Sequence, residues 1–169
     1  TFGSMPNDGG HLLLGEMEKV RMVASSPDAQ RFIRKFTGAS EFIDSKERYV
    51  IWIEDDQLND ATSIDWIATR IDAVREMRSK SKRAATKNLA LTPHRFGEVR
   101  HKNTNAIIIP NHSSERRLYI PIGFLDQSTV ISNAANAVYD AEPWVFALLT
   151  SRMHMVWTRA VGGKLKTDY

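Results

Sequence analysis

No regular period fits the first ten residues. "TFGSMPNDGG" mixes glycine, proline and polar residues and reads as an irregular connection. Apolar positions then gather in "HLLLGEMEKVRMVASS", which predicts a short apolar stretch and a first helix over about Glu16–Ala24. "SSPDAQRFIRKFTG" carries the punctuation of a second helix. Ser26 can cap it, Pro27 suits its first position, Asp28 favours its positive end and Gly38 stops it. Phe32, Ile33 and Phe36 would form its buried stripe. In "RYVIWIEDD", Val50, Trp52 and Glu54 alternate with Ile51 and Ile53, and both faces are largely apolar, as in a central strand.

The most regular helical pattern is "TSIDWIATRIDAVREMRSKSKRAATKN". Ile64, Ile67, Ile71, Val74 and then Met77 or Arg78 share one face, and Thr62 with Asp65 resembles a capping pair. Farther on, "NAIIIP" and "RRLYIPIGF" read as two buried strands, with "NHSS" as a tight hairpin turn between them. "STVISN" reads as a third short strand. "DAEPWVFALLTSRMHMVWTRAVGG" reads as one long helix, with Pro143 in its first turn and Gly162 and Gly163 at its stop. Apolar residues surround most of that helix, which predicts a central core position. These elements describe an α+β fold: a single domain with a small mixed or antiparallel sheet, packed with several helices including the long C-terminal one.

Composition narrows the class. At 169 residues the chain can bury one substantial core, and two would be cramped. No run of apolar residues is long enough to span a bilayer, and the N-terminus lacks a signal pattern, so a cytoplasmic setting is expected. The chain starts at Thr1 and ends on a strand-like "GGKLKTDY", as a piece of a longer protein would. With no cysteine there are neither disulfides nor thiolate metal sites.

The net charge of +3 hides a strong asymmetry. Residues 1–68 carry 7 basic and 12 acidic side chains, residues 69–102 carry 10 and 3, and residues 103–169 carry 6 and 5. A basic middle segment points to a polyanion partner or to a solvated helix face.

Catalytic signatures are missing. There is no G-x-S-x-G around Ser113 or Ser114, no phosphate-loop string and no H-E-x-x-H among His11, His94, His101, His112 and His154. "GGKLK" follows a helix instead of opening one, as a helix stop does. Pro27-Asp28 with Asp44-Ser45-Lys46 fits the loose pattern of metal-dependent nucleases. Asp28 is already accounted for as a helix-start residue, and Asp44 falls in a turn. The expectation is therefore no catalytic residue and no metal site within these residues.

Several stretches together carry a resemblance: "GSMPNDGG", "FIRKFTGASEFI", "RYVIWI", "IIIPNHSSERRLYIPIGF", "FALLTSRMHMVW" and "GGKLKTDY". They resemble, in order and from Gly3 to Tyr169, the target recognition domain of the MmeI-like fused restriction–modification enzymes, the single-chain type IIL systems, and their methyltransferase relatives. The resemblance implies a connection over residues 1–10 from an upstream adenine-N6 methyltransferase domain, and a DNA target recognition domain over residues 11–169. It implies duplex DNA as partner and no cofactor in this piece. S-adenosylmethionine would sit in the upstream domain, and a nuclease, where present, farther upstream still.

Carried onto this chain, the base-reading positions of the family are Asn111, Asn133, Ala134, Lys166 and Asp168. Lys166 and Asp168, at i and i+2 on a strand, would offer a donor and an acceptor to one base pair. Arg70, Arg75, Arg78, Lys80, Lys82, Arg83, Arg116, Arg117, Arg159 and Lys164 are the expected backbone or groove contacts, with Arg152 a further candidate. Glu115 with Arg116 or Arg117 would brace the turn after "IIIP". Two rival readings remain at this point: a protein-interaction module using the basic helix, and an RNA binder. The second would require exposed stacking aromatics, whereas Trp52, Trp144, Phe146 and Trp157 sit in apolar contexts that read as core.

Overall fold

The pattern of short apolar runs folds into a string of short elements, and the computed structural model describes residues 1–114 and 116–163. In chain order these are β1 (Leu13–Gly15), α1 (Glu16–Ser25), β2 (Ile33–Thr37), α2 (Ala39–Asp44), β3 (Arg48–Ile51), α3 (Leu58–Thr62), α4 (Asp65–Ser79), α5 (Ala84–Asn88), β4 (Ala106–Pro110), β5 (Gly123–Leu125), β6 (Val130–Ile131), β7 (Ala135–Tyr139), α6 (Pro143–Leu149) and α7 (Arg152–Val161). The class is α+β, as the sequence predicts. The chain gathers into two compact units from interleaved segments. One comprises Ser4–Phe36 with Glu47–Val99; the other comprises Thr1–Gly3, Thr37–Lys46 and the chain from Arg100 onward.

In the first unit β3 is the central strand, as expected. It pairs antiparallel with β1, Leu13 opposite Val50, and with β2, Ile33 opposite Ile51. Fully buried Val50 and Ile51 explain why both faces of this strand are apolar. The second helix expected over 26–38 does not form. A 3-10 turn covers Pro27–Phe32 and the chain then extends as β2. Pro27 and Asp28 start the turn as read, but Ser26 makes no side-chain cap. Pairing of the next residues with β3 outweighs their helical spacing, a case of tertiary context overriding local preference.

Helix α4 buries Ile67, Ile71 and Val74, and Ile64 just before it, along the predicted stripe. Each fully buried isoleucine contributes roughly 1.5–3 kcal/mol. The helix is shorter at both ends than its pattern suggests. Thr62 belongs to α3, where its hydroxyl donates to the Leu58 carbonyl (2.9 Å) instead of capping α4. At the far end the chain leaves the helix after Ser79. The Ser81 hydroxyl then accepts from the Arg83 amide, and α5 begins separately.

The second unit is built on a three-stranded antiparallel sheet, β5–β4–β7. Ala106, Ile108, Ile131, Ala135 and Ala137 form its core, with Phe42, Leu125 and Tyr139 packed against them. The tight "NHSS" hairpin is not present. Strand β4 ends at Pro110, and its partner β5 begins only at Gly123. Pro110 and Pro121 both lack an amide hydrogen, so neither can extend a ladder from its N–H side. The other partner of β4, β7, was absent from the predicted elements; its alternation of buried Ala135 and Ala137 with Asn136 is too short to stand out.

The N-terminal residues are anchored beside this sheet. Phe2 bridges Asn136, and the Gly3 amide donates to the Ala135 carbonyl at 3.0 Å. A Cβ on Gly3 would stand 2.3 Å from the Ser132 carbonyl oxygen, so this close approach of backbones requires glycine.

The structure differs from the expected long C-terminal core helix in two respects. It is two helices, α6 and α7, and it is largely exposed: among its residues only Met155 is buried. The break has a local cause. The Thr150 hydroxyl bonds back to the Phe146 carbonyl (2.8 Å), and the Ser151 side chain caps α7 by accepting from the His154 amide (3.1 Å).

Candidate nucleic-acid interface

Antiparallel pairing of β4 with β7 places Pro110 opposite Ala135, so the residues just outside the ladder meet at one corner. These are Asn111 on one side and Asn133 with Ala134 on the other. The Asn111 amide nitrogen donates to the Asn133 carbonyl (3.2 Å), and the Asn136 amide donates to Asn111 Oδ1 (2.9 Å). The Ala134 amide donates to the Ser132 hydroxyl at 3.2 Å, which fixes the turn into β7. Three residues singled out from a distance of 22 positions are therefore neighbours, held by a polar network whose outer members Asn133 and Ala134 are exposed. Each amide keeps one donor or acceptor position beyond those bonds. Such a corner can present amide groups to a base edge.

Lys164, Lys166 and Asp168 lie outside the described residues, as does Glu115. The segment after Asn111 turns at Ser114, whose carbonyl accepts from the Arg117 amide at 3.0 Å. Arg116 is exposed and Arg117 half-buried, and Arg159 on α7 donates to the Arg117 carbonyl at 3.1 Å.

The basic cluster of residues 70–83 divides sharply. Arg78 is fully buried, and all of its N–H groups are spent on backbone carbonyls. Nε donates to Asn7 (2.9 Å), Nη1 to Leu89 and Thr92 (3.0 Å each), and Nη2 to Pro6 (3.0 Å) and Arg95 (2.8 Å). Burial lowers its pKa from the usual arginine value, with the nearby Asp8 charge opposing that shift. Arg70 is similarly committed. It donates to the carbonyls of His11 (2.6 Å) and Leu13 and forms an ion pair with Glu18. Arg78 has no donor left for a phosphate, so this expected backbone contact is structural instead, and Arg70 has most of its donors engaged by the protein. The spacing did place Arg78 on the buried stripe, four residues beyond Val74, but a charged residue there reads as exposed until its carbonyl partners are visible.

The remaining members face solvent. Arg75 pairs with Asp72 and Lys80 with Glu76 on the surface of α4, exposed pairs of the kind worth under about 1 kcal/mol. Lys82 and Arg83 are exposed and form no ion pair among the described residues. Arg75 and Lys80 can exchange their weak partners for phosphates at little cost, and Lys82 and Arg83 have no such pair to give up.

Beside Arg78 lies a buried histidine that the sequence could not interpret. His94 Nε2 donates to Asp55 Oδ1 at 2.8 Å, while its Nδ1 meets no partner among the described residues. Asp55 also pairs with Arg95. The Asp55 carboxylate alone would favour an imidazolium, but burial first and the Arg78 charge second depress the His94 pKa. Both effects favour the neutral ring. Among the described residues no group of His, Asp or Glu could hold a metal ion, and no helix is long and apolar enough to cross a membrane.

The chain is 41% identical over 169 residues to DNA methyltransferase A of Bacillus subtilis (strain 168), an overlap of 99% of this chain and 19% of that protein. It matches a solved structure of the type IIL restriction–modification enzyme MmeI in complex with DNA at a TM-score of 0.93 and 36% identity, over 99% of this chain and 22% of that one. The chain thus spans about a fifth of the length of these relatives. The family described as MmeI, target recognition domain, matches residues 1–169 in full. By sequence and by fold, the chain belongs to the MmeI target recognition domain family.

Proposed function

We propose that this chain reads the target sequence in double-stranded DNA on behalf of a site-specific DNA methyltransferase that acts at adenine N6. The observation that carries the reading is the corner at the end of β4 and β7, where Asn111, Asn133 and Ala134 converge in a polar network open to solvent. Asparagine amides pair with adenine edges, and an exposed alanine leaves room for a thymine methyl group or a water. Lys166 and Asp168 complete the base-reading set.

Arg75, Lys80, Lys82, Arg83, Arg116, Arg117, Arg159 and Lys164 supply phosphate and groove contacts, which set affinity and register but carry no sequence information. The reaction itself belongs to the rest of the parent protein. An upstream domain binds S-adenosylmethionine and receives the adenine turned out of the stack. The setting is the cytoplasm, where duplex DNA is accessible.

The test uses the full-length parent. Asn133→Arg should move the methylated sequence toward guanine at one position while turnover persists, because arginine pairs bidentately with O6 and N7 of guanine. Exchanging Lys166 and Asp168 should alter one different position. Methylation-site sequencing reads both outcomes, and an unchanged motif in both variants would refute the reading.

A further inference from the structure

Helix α7 shows solvent two unlike flanks on either side of its buried stripe. Met153, Trp157 and Val161 form one flank, wholly apolar and 60–70% exposed. Arg152, Val156 and Arg159, at i, i+4 and i+7, form the other. On this second flank an open groove of about 340 Å³ separates α7 from the loop after β4. Its walls are Leu118, Tyr119, Arg152, Met155, Val156 and Arg159, with no carboxylate among these described residues. The loop is held against the helix by Arg159, through the Arg117 carbonyl (3.1 Å).

Leu118 is 77% exposed and Tyr119 49% exposed, and both follow directly after Arg116 and Arg117. Neither packs in a core, so folding does not account for their apolar character. A leucine held out between arginines combines an apolar edge with cationic shoulders. That is the chemistry of side chains that enter the minor groove and part neighbouring base pairs while cations hold the flanking phosphates.

We propose that Leu118, backed by Tyr119, is a wedge that unstacks one base step of the bound duplex, with Arg116 and Arg152 on the adjacent phosphates. The floor formed by Met155 and Val156 receives the displaced sugar. This inference rests on the duplex-DNA reading above. The charge pattern favours DNA over a protein at this surface. An apolar protein partner would gain more from the uncharged Met153–Trp157–Val161 flank, whereas a polyanion is attracted to a groove whose described walls carry Arg152 and Arg159 and no carboxylate.

The experiment takes the full-length parent and duplexes carrying 2-aminopurine at successive positions across the recognition site. Binding should raise fluorescence at one step in addition to the methylated base. Leu118→Ala should abolish that additional rise and weaken binding about tenfold, since the contacts that unstacking makes possible are lost with it. It should leave the rise at the methylated base and the recognised motif unchanged. Arg152→Gln should lower the salt dependence of binding by about one phosphate contact. A wild-type protein with no second rise, or a Leu118→Ala variant that retains it, overturns the wedge and leaves the DNA reading intact. A Leu118→Ala variant that loses thermal stability while retaining the rise also overturns it, because the loop would then be packed against another part of the parent. Failure of the wild-type parent to bind duplex at all would refute the DNA reading and the wedge together.

Discussion

Arginine is used in opposite ways in the interior of the first unit and on the α7 side of the second. In the unit of residues 4–36 and 47–99, Arg78 is buried with every donor on a backbone carbonyl, tying Pro6, Asn7, Leu89, Thr92 and Arg95 to helix α4, and Arg70 is held by the His11 and Leu13 carbonyls and the Glu18 carboxylate. In the unit that carries β4, β7 and α7, Arg116 and Arg152 point outward, and Arg159 uses one bond to hold a loop. Formal charge is the same in both places. What differs is whether the guanidinium's donors are spent on the protein or left for a ligand, so a count of basic residues measures attraction to DNA poorly.

The comparison is most severely tested at Arg78. Arg78→Met should destabilise the first unit by about 3–5 kcal/mol, because five carbonyls lose their donor inside a buried site. Hydrogen exchange at the α4 amides of the parent protein measures this, and protection equal to wild type would place Arg78 among the solvated residues. A smaller effect is expected from the exposed set. Replacing Arg75, Lys82 and Arg83 together by glutamine should leave stability within about 0.5 kcal/mol. It should also reduce the slope of log binding constant against log salt by as much as about 2.7. An unaltered slope would mean that α4 and the turn after it do not meet DNA.

In the other unit, Ser151→Ala removes the cap of α7 and should cost about 1 kcal/mol, seen as faster exchange at the His154 amide. The smallest effect concerns pH. The folded pKa of His94 lies below its ordinary value of 6.5, so the native protein binds fewer protons than the unfolded one. The associated stability is complete above pH 6.5 and is lost as pH falls through the folded value. His94 faces Asp55, Arg78 and, through Asp55, Arg95. His94→Gln should flatten this part of a stability–pH curve, and an unchanged slope would show that the ring is not held neutral.

How much of this could be read in advance varied by element. The β3 strand and the α4 stripe were legible because their apolar residues repeat with one period and are buried in that register. The segment 26–38 was not, since Pro27 and Asp28 start a turn that pairing with β3 then cuts short. Residues 143–161 misled for a different reason. An apolar helix reads as core, yet Trp144, Leu148, Met153 and Trp157 remain exposed while a sheet face supplies the core of that unit. The corner proposed to read bases came from resemblance. The β4–β7 register explains why Asn111 and Asn133 belong together, and no local pattern could have brought them side by side.

Sequence by itself determined the α+β class, the central β3, the buried face of α4, the absence of cysteine chemistry and the family. Each depends on residue identity or on a short-range period. Only the tertiary structure decided which arginines are free, that β7 exists, and that α6 and α7 lie at the surface. Those outcomes depend on partners far away in the chain. The same guanidinium is framework when five carbonyls surround it and a potential DNA contact when none does.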